Sequence, residues 1–131
     1  VMVDSNVVID LIDAHSGVSI WAATTLKANL RPGATWIAPT AYAEVAARQP
    51  SAASLDEILR RVRVELLAPT RAALWRAGTA FARYRQNTGP RETILPDFMI
   101  GAQAEDIGAK LITRDPRRYR TYFPDLKLIA P

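Results

Sequence analysis

Apolar residues along the chain switch repeatedly between a two-residue and a helical period, and the switches predict the elements. The run Val1-Met2-Val3 is β-rich and ends at Asp4, after which Ser5 or Asn6 can cap a helix over residues 7–13. Residues 18–30 are Ala-rich and suit a helix that Arg31-Pro32-Gly33 stops, ahead of a strand in Thr35-Trp36-Ile37-Ala38. Thr40 stands where it can cap a helix over residues 41–48, with Glu44 about one turn in. Ser54-Leu55-Asp56-Glu57 reads as a capping box opening another short helix. Val62, Val64 and Leu66 then alternate with Arg63 and Glu65, which is a strand pattern. Thr70 caps a longer helix with Leu74, Ala77 and Phe81 on one face, and Asn87-Thr88-Gly89-Pro90 ends it. Pro96-Asp97 opens a helix with the stripe Ile100, Ala104 and Ile107, closed by Gly108. Lys110-Leu111-Ile112-Thr113 is a strand ending at Arg114-Asp115, and a last short strand is predicted at Leu128-Ile129.

Strands alternating with helices over the whole length indicate βαβ units and a parallel sheet covered on both faces, so the expected class is α/β. Without repeats, low-complexity tracts or linkers, residues 1–131 read as one domain. The chain is 49% hydrophobic, which excludes disorder, and it has no cysteine, which excludes a disulfide framework, a thiolate zinc site and a cysteine nucleophile. No apolar run approaches a membrane span and no targeting segment is evident, so no membrane partner is expected and the expected setting is cytoplasmic. The net charge of +4 favours an acidic partner such as nucleic acid. Arginine supplies 14 of the 17 cations, which suits phosphate recognition but also follows from a GC-rich genome.

Ligand sites of open α/β sheets lie beyond the carboxyl ends of the strands, which singles out four acids. Asp4 and Asp115 each follow a strand, Asp97 sits in the first turn of a helix, and Glu44 lies in the helix after the second strand. Asp10 can approach the same cleft from one or two turns past Asp4. Each acid alone also reads as a helix cap or a surface charge. Several carboxylates at one sheet edge repel one another unless a cation or shared protons compensate. With no Cys and one His, His15, which reads as a loop residue, the compensating ion is a hard one, Mg²⁺ or Mn²⁺, taken with substrate phosphate. Hydrolysis of a phosphodiester follows from that chemistry. Ser5, Asn6 and Thr113 can orient a carboxylate or a water, or simply cap a helix and fill a strand.

Val3-Asp4-Ser5-Asn6-Val7-Val8-Ile9-Asp10, Ala43-Glu44-Val45, Asp97-Phe98-Met99-Ile100-Gly101-Ala102, and the run from Gly108 to Asp115, taken in order, resemble the PIN domain. Within it they look like the VapC-type toxin ribonucleases of bacterial toxin–antitoxin pairs. The resemblance implies a three-layer α/β/α fold with a mostly parallel sheet of four to five strands. It also implies an Mg²⁺-dependent endoribonuclease, with Mn²⁺ as a substitute, acting as a type II toxin. Its implied partners are an RNA substrate, structured or single-stranded, with tRNA among the candidates, a cognate antitoxin, and a second copy in a homodimer. Carried over residue by residue, Asp4, Glu44, Asp97 and Asp115 form the catalytic acidic set. Asp4 and Asp97 are the implied metal ligands, supported by Ser5, Asn6 and Thr113. Gly101 stands where many members have Ala, a departure expected to matter little, and residues 87–95 form a polar approach to Asp97.

Arg114, Arg117, Arg118 and Arg120 cluster beside Asp115 with Tyr119 and Tyr122 interleaved. Arginines for phosphates and tyrosines for base stacking suit RNA contact, against the alternative of a solvated basic turn. Arg76 and Arg83 are expected on the outer face of their helix, and Trp21, Trp36 and Trp75 as core or interface anchors. A housekeeping RNA-processing nuclease shares the same residues, and a silent binding scaffold predicts loss of an acid, whereas all four are present. A phosphatase of the dehalogenase kind needs Asp at position 6, which is Asn.

Overall fold

A computed structural model of the chain describes residues 1–14, 17–88 and 95–131. His15, the Gly89-Pro90 helix stop and most of the polar approach at 87–95, Glu92 included, lie outside the described residues. In chain order the elements are β1 (Met2–Val3), α1 (Ser5–Ile12), α2 (Gly17–Asn29), β2 (Trp36–Ile37), α3 (Pro39–Ala46), α4 (Ala52–Val62), β3 (Glu65–Leu66), α5 (Arg71–Thr88), α6 (Leu95–Asp106), β4 (Leu111–Ile112), α7 (Arg117–Tyr122) and β5 (Leu128–Ile129).

The five strands form one sheet in the order β3-β2-β1-β4-β5, and every pairing is parallel. β1 is central: Val3 pairs with Ile37 on one side and with Ile112 on the other. Met2, Val3, Ile37, Leu111 and Ile112 are all fully buried, as expected of parallel strands covered by helices. Because the strands run the same way, the chain leaves β1, β2 and β4 at one common edge. No described helix is long and apolar enough to cross a membrane.

Several element boundaries differ from the sequence expectation for identifiable reasons. α1 starts at Ser5 with Asp4 as its N-cap, and Asp4 makes no side-chain cap bond because its carboxylate is engaged across the sheet edge. α3 starts at Pro39, whose missing N–H costs nothing at the first helical position, so Ala38 rather than Thr40 precedes it. The capping box at 54–57 is not used: Ser51 Oγ accepts from the Ser54 N–H at 3.1 Å, and α4 begins three residues earlier. α4 runs on through Val62 until Arg63 takes a left-handed conformation at φ 57°, which leaves only Glu65–Leu66 as β3.

Thr70 caps α5 as predicted, accepting from the Ala73 N–H at 3.0 Å. The buried line on α5 is Ala73, Ala77 and Ala80, while Leu74 is exposed. α6 buries Phe98, Ile100, Gly101, Ala102, Gln103 and Ala104, so it is enclosed nearly all round instead of showing one stripe, and Ile107 is exposed just beyond its end. α7 occupies the arginine-rich run that reads as an RNA contact or a solvated basic turn, with Tyr119 and Tyr122 buried at a three-residue spacing and Arg117 and Arg120 facing out. Those tyrosines are therefore core residues and not an open stacking surface. Trp75 is exposed, whereas Trp21 and Trp36 pack against the core.

An aromatic cluster ties α5, α6 and α7 together: the Phe98 ring meets Tyr122 at 5.1 Å and Phe123 at 6.1 Å between centroids. Arg76 is not on an outer face. It pairs with Glu105 at 2.9 Å, donates to the Tyr122 carbonyl at 2.9 Å and lies 4.7 Å over the Phe123 ring. Gly101 is the point where α6 meets this cluster, and a Cβ there would stand 2.7 Å from the Phe123 ring and 3.1 Å from that of Tyr119. The glycine expected to matter little is thus fixed by packing.

Gly101→Ala is expected to destabilise the protein by about 1–3 kcal/mol, since a buried ring must move. Gly78→Ala, on an exposed stretch of α5 with open space at the added Cβ, is expected to stabilise it by up to about 1 kcal/mol. Urea unfolding of the two variants beside the parent checks both signs.

Candidate functional site

The parallel register of β1 and β4 continues one residue past Val3 and Ile112, bringing Asp4 and Thr113 side by side at the sheet edge. The Asp4 N–H donates to the Ile112 carbonyl at 3.0 Å, and both side chains are buried. Asp4 Oδ2 accepts three hydrogen bonds: from Thr113 Oγ1 at 2.6 Å, Asn6 Nδ2 at 2.9 Å and Tyr119 OH at 3.2 Å. Ser5 Oγ lies 3.4 Å from Oδ1, and the Ser5 backbone N–H also bonds the Asp4 carboxylate. Asn6 Oδ1 accepts from the Arg114 N–H at 3.0 Å, and Thr113 Oγ1 accepts from the Asp115 N–H at 3.2 Å. The start of α1 and the loop after β4 are thereby stitched into one polar unit, with Ser5, Asn6 and Thr113 all serving it.

Asp97 enters from the first turn of α6 and pairs with Arg118 of α7. Burial, the Asp4 charge and, to a lesser extent, Glu44 push its carboxyl up to about 6 against the pull of Arg118. Burial also raises the Asp4 carboxyl, opposed by its hydrogen bonds from Thr113, Ser5 and Tyr119. Tyr119 is raised well above its ordinary value by burial and by the charges of Asp4, Asp97 and Glu44, so its hydroxyl stays protonated and acts as a donor. Asp4, Asp97 and Glu44 thus share one electrostatic neighbourhood. Glu44 Oε2 is buried there without a hydrogen-bond partner, as is the Thr40 hydroxyl one turn earlier on α3.

Asp115 stands apart from these three. It is exposed and bonded to Arg117 Nε at 3.1 Å, and that guanidinium holds its carboxyl below the usual range. It joins the unit through its backbone N–H instead of its carboxylate. Asp10 lies on the face of α1 that carries Asn6, one turn on; it is buried, has one unpartnered oxygen, and faces Arg114 Nη1 at 3.4 Å from the other. The three candidate RNA-contact arginines therefore each face a carboxylate: Arg114 Asp10, Arg117 Asp115 and Arg118 Asp97. Tyr119 is the functional side chain whose role the sequence does not show. Its three-residue spacing from Tyr122 inside a charged run is the one signal that marks a buried face.

Among the described residues no three Asp, Glu or His side chains form a ready cage for an ion. A hard divalent ion that keeps several waters needs only one or two carboxylates, and Asp4 and Asp97 are the pair that could hold it. The unpartnered buried oxygen of Glu44 and the mutual repulsion of the three acids fit a cation there.

The family model of the PIN domain matches residues 1–124. No curated protein matches the sequence. Among solved structures, the chain is similar to the DNA-bound VapBC of Salmonella typhimurium, with a TM-score of 0.68 and 21% identity over 98% of this chain and 96% of that one. It is similar to VapBC-1 of nontypeable Haemophilus influenzae, with a TM-score of 0.66 and 22% identity over 98% and 96%. A toxin–antitoxin complex from Klebsiella pneumoniae gives a TM-score of 0.68 and 19% identity over 98% and 94%. At these identities the likeness is one of fold.

A carboxyl raised to about 6 in the folded protein, from about 3.8 unfolded, binds its proton more tightly when folded, so its contribution to stability is lost as pH rises across that window. In metal-free buffer, Asp97→Asn is expected to gain stability relative to the parent between pH 4 and pH 7, by up to about 3 kcal/mol. Chemical denaturation across that range checks the sign; a difference that stays flat or reverses would contradict it.

Proposed function

The chain belongs to the PIN domain family, and from that premise we propose that it is an Mg²⁺-dependent endoribonuclease acting as the toxin of a type II toxin–antitoxin pair. The observation that carries the catalytic part is that adjacent residues of α7 bond both acids, Tyr119 to Asp4 at 3.2 Å and Arg118 to Asp97, at one edge of the parallel sheet, where the Glu44 charge also reaches Asp97. The toxin part is supported by the fold shared with complexes described as VapBC or toxin–antitoxin. A cognate antitoxin, a homodimer and a cytoplasmic setting belong to the same proposal and are carried by the family resemblance.

Asp4 and Asp97 would hold the ion. The Asp4 carboxylate offers Oδ1 for this, since Oδ2 is already saturated by Thr113, Asn6 and Tyr119. When bound, Mg²⁺ or Mn²⁺ supplies charge neutralisation at the phosphodiester and a more acidic water. Thr113, Asn6 and Tyr119 keep Asp4 oriented and exclude water from its inner oxygen, as donors around a ligating carboxylate do. Glu44 Oε2, buried and unpartnered, is the acceptor the site offers for a proton from an attacking water. Asp115 completes the acidic set at the rim, where it orients Arg117 and, through its N–H, Thr113. Arg114, Arg117 and Arg118 line that rim and would take the phosphates on either side of the cut.

Purified protein given a total RNA pool with Mg²⁺ or Mn²⁺ is expected to produce discrete fragments, and to produce none with EDTA or as Asp97→Asn. Fragments that persist in both controls would overturn the proposal, and well-folded protein that cuts nothing would favour a binding scaffold. Raising salt from about 50 to about 200 mM is expected to reduce cleavage by at least ~10-fold as phosphate contacts are screened.

A further inference from the structure

We propose that Arg118 is a built-in counter-ion of the acidic site: it occupies Asp97 in the metal-free protein and is displaced when a divalent cation binds there. The inference rests on the proposed metal site and adds to it a competitor supplied by the chain itself.

α7 presents two consecutive side chains to the two acids. Tyr119 donates to Asp4 with a neutral hydroxyl, and Arg118 pairs with Asp97 through a full positive charge. Asp97 is the acid on which the repulsion falls, being partly buried beside Asp4 and Glu44, and the Arg118 guanidinium is the nearby charge that opposes it. A cation is thus already present where the carboxylates gather.

The pair is also built to open. The side chains of Arg118 and Asp97 are 36% and 29% exposed, so the guanidinium can swing into water at modest cost, whereas a fully buried arginine would be left as an uncompensated charge. A guanidinium and a divalent cation cannot share one carboxylate group without strong repulsion, so occupancy by one excludes the other. The neighbouring pairs differ in kind. Arg117 is tied to the exposed Asp115, and Arg114 faces Asp10, neither of them a proposed metal ligand. Displaced Arg118 stays anchored by α7 at the rim, where substrate phosphate would lie. Metal affinity is therefore lowered by the fraction of molecules in which Arg118 holds Asp97.

The test is calorimetric titration of the full chain with Mn²⁺, without RNA, for the parent, Arg118→Ala, Arg118→Gln and Arg117→Ala. Both Arg118 variants are expected to bind Mn²⁺ about 3- to 30-fold more tightly than the parent, with a larger Mn²⁺-induced rise in Tm, and Arg117→Ala to change affinity less than about twofold. Arg118→Gln keeps the length and a donor, so it reports even if Arg118→Ala does not fold. Equal tightening in Arg117→Ala would show a general charge effect and overturn the competition, as would unchanged or weaker binding in both Arg118 variants. Absence of Mn²⁺ binding in every protein would overturn the metal site itself and this inference with it.

Discussion

The carboxylate of Asp4 lies at the end of the central strand of an all-parallel sheet, where burial denies it water and four side chains from three separated segments stand in for that water. A buried carboxylate left unpaired is costly, so the first turn of α1, the loop after β4 and helix α7 must all be in place for this one group to be tolerated. Tyr119 reaches Asp4 only if α7 is seated, and α7 is seated by the Phe98, Tyr122 and Phe123 cluster and by the bare surface of Gly101. Packing in the core and chemistry at the sheet edge are therefore the same constraint seen from two ends. Asp97 and Glu44 add to it, because each further carboxylate at that edge raises the cost of the others.

Much of this could be read from the sequence, because the rules involved are local. A β-rich run followed by Asp4, a helix start bearing Asp97 and a helix after the second strand bearing Glu44 place three acids at one sheet edge once the sheet is taken as parallel, whereas Asp115, expected with them, is exposed and paired with Arg117. The elements that escaped depend on contacts distant in sequence. α7 looks like a basic turn because four of its six residues are Arg or Thr, and only the burial of Tyr119 and Tyr122 makes it a helix with an inner face. α6 shows no clean stripe because α5, α3 and α7 pack around it. The need for Gly at 101 is invisible until Phe123, twenty-two residues on, is laid across it. Ser51 capped α4 in place of the better-matching box at 54–57, a competition between two adequate signals that sequence alone does not decide.

The charges at the rim follow the same logic. Arg114, Arg117 and Arg118 read as an open patch for RNA, yet each faces an acid, so in the metal-free protein the segment after β4 neutralises the cleft before any substrate arrives. Under the proposed function, a divalent ion at Asp97 and a phosphate at the rim would bring the charges that Asp97 and the freed Arg118 then meet.

The account depends on Asp4 and Asp97 being electrostatically coupled. Following the side-chain carboxyl carbons of ¹³C-labelled aspartate by NMR as pH is raised tests that most directly, in metal-free parent and in Asp4→Asn. Asp97 is expected to titrate near about 6 in the parent and to move back toward the ordinary carboxyl range when the Asp4 charge is removed. An Asp97 that titrates at an ordinary value in the parent, or is unmoved by Asp4→Asn, would contradict the account.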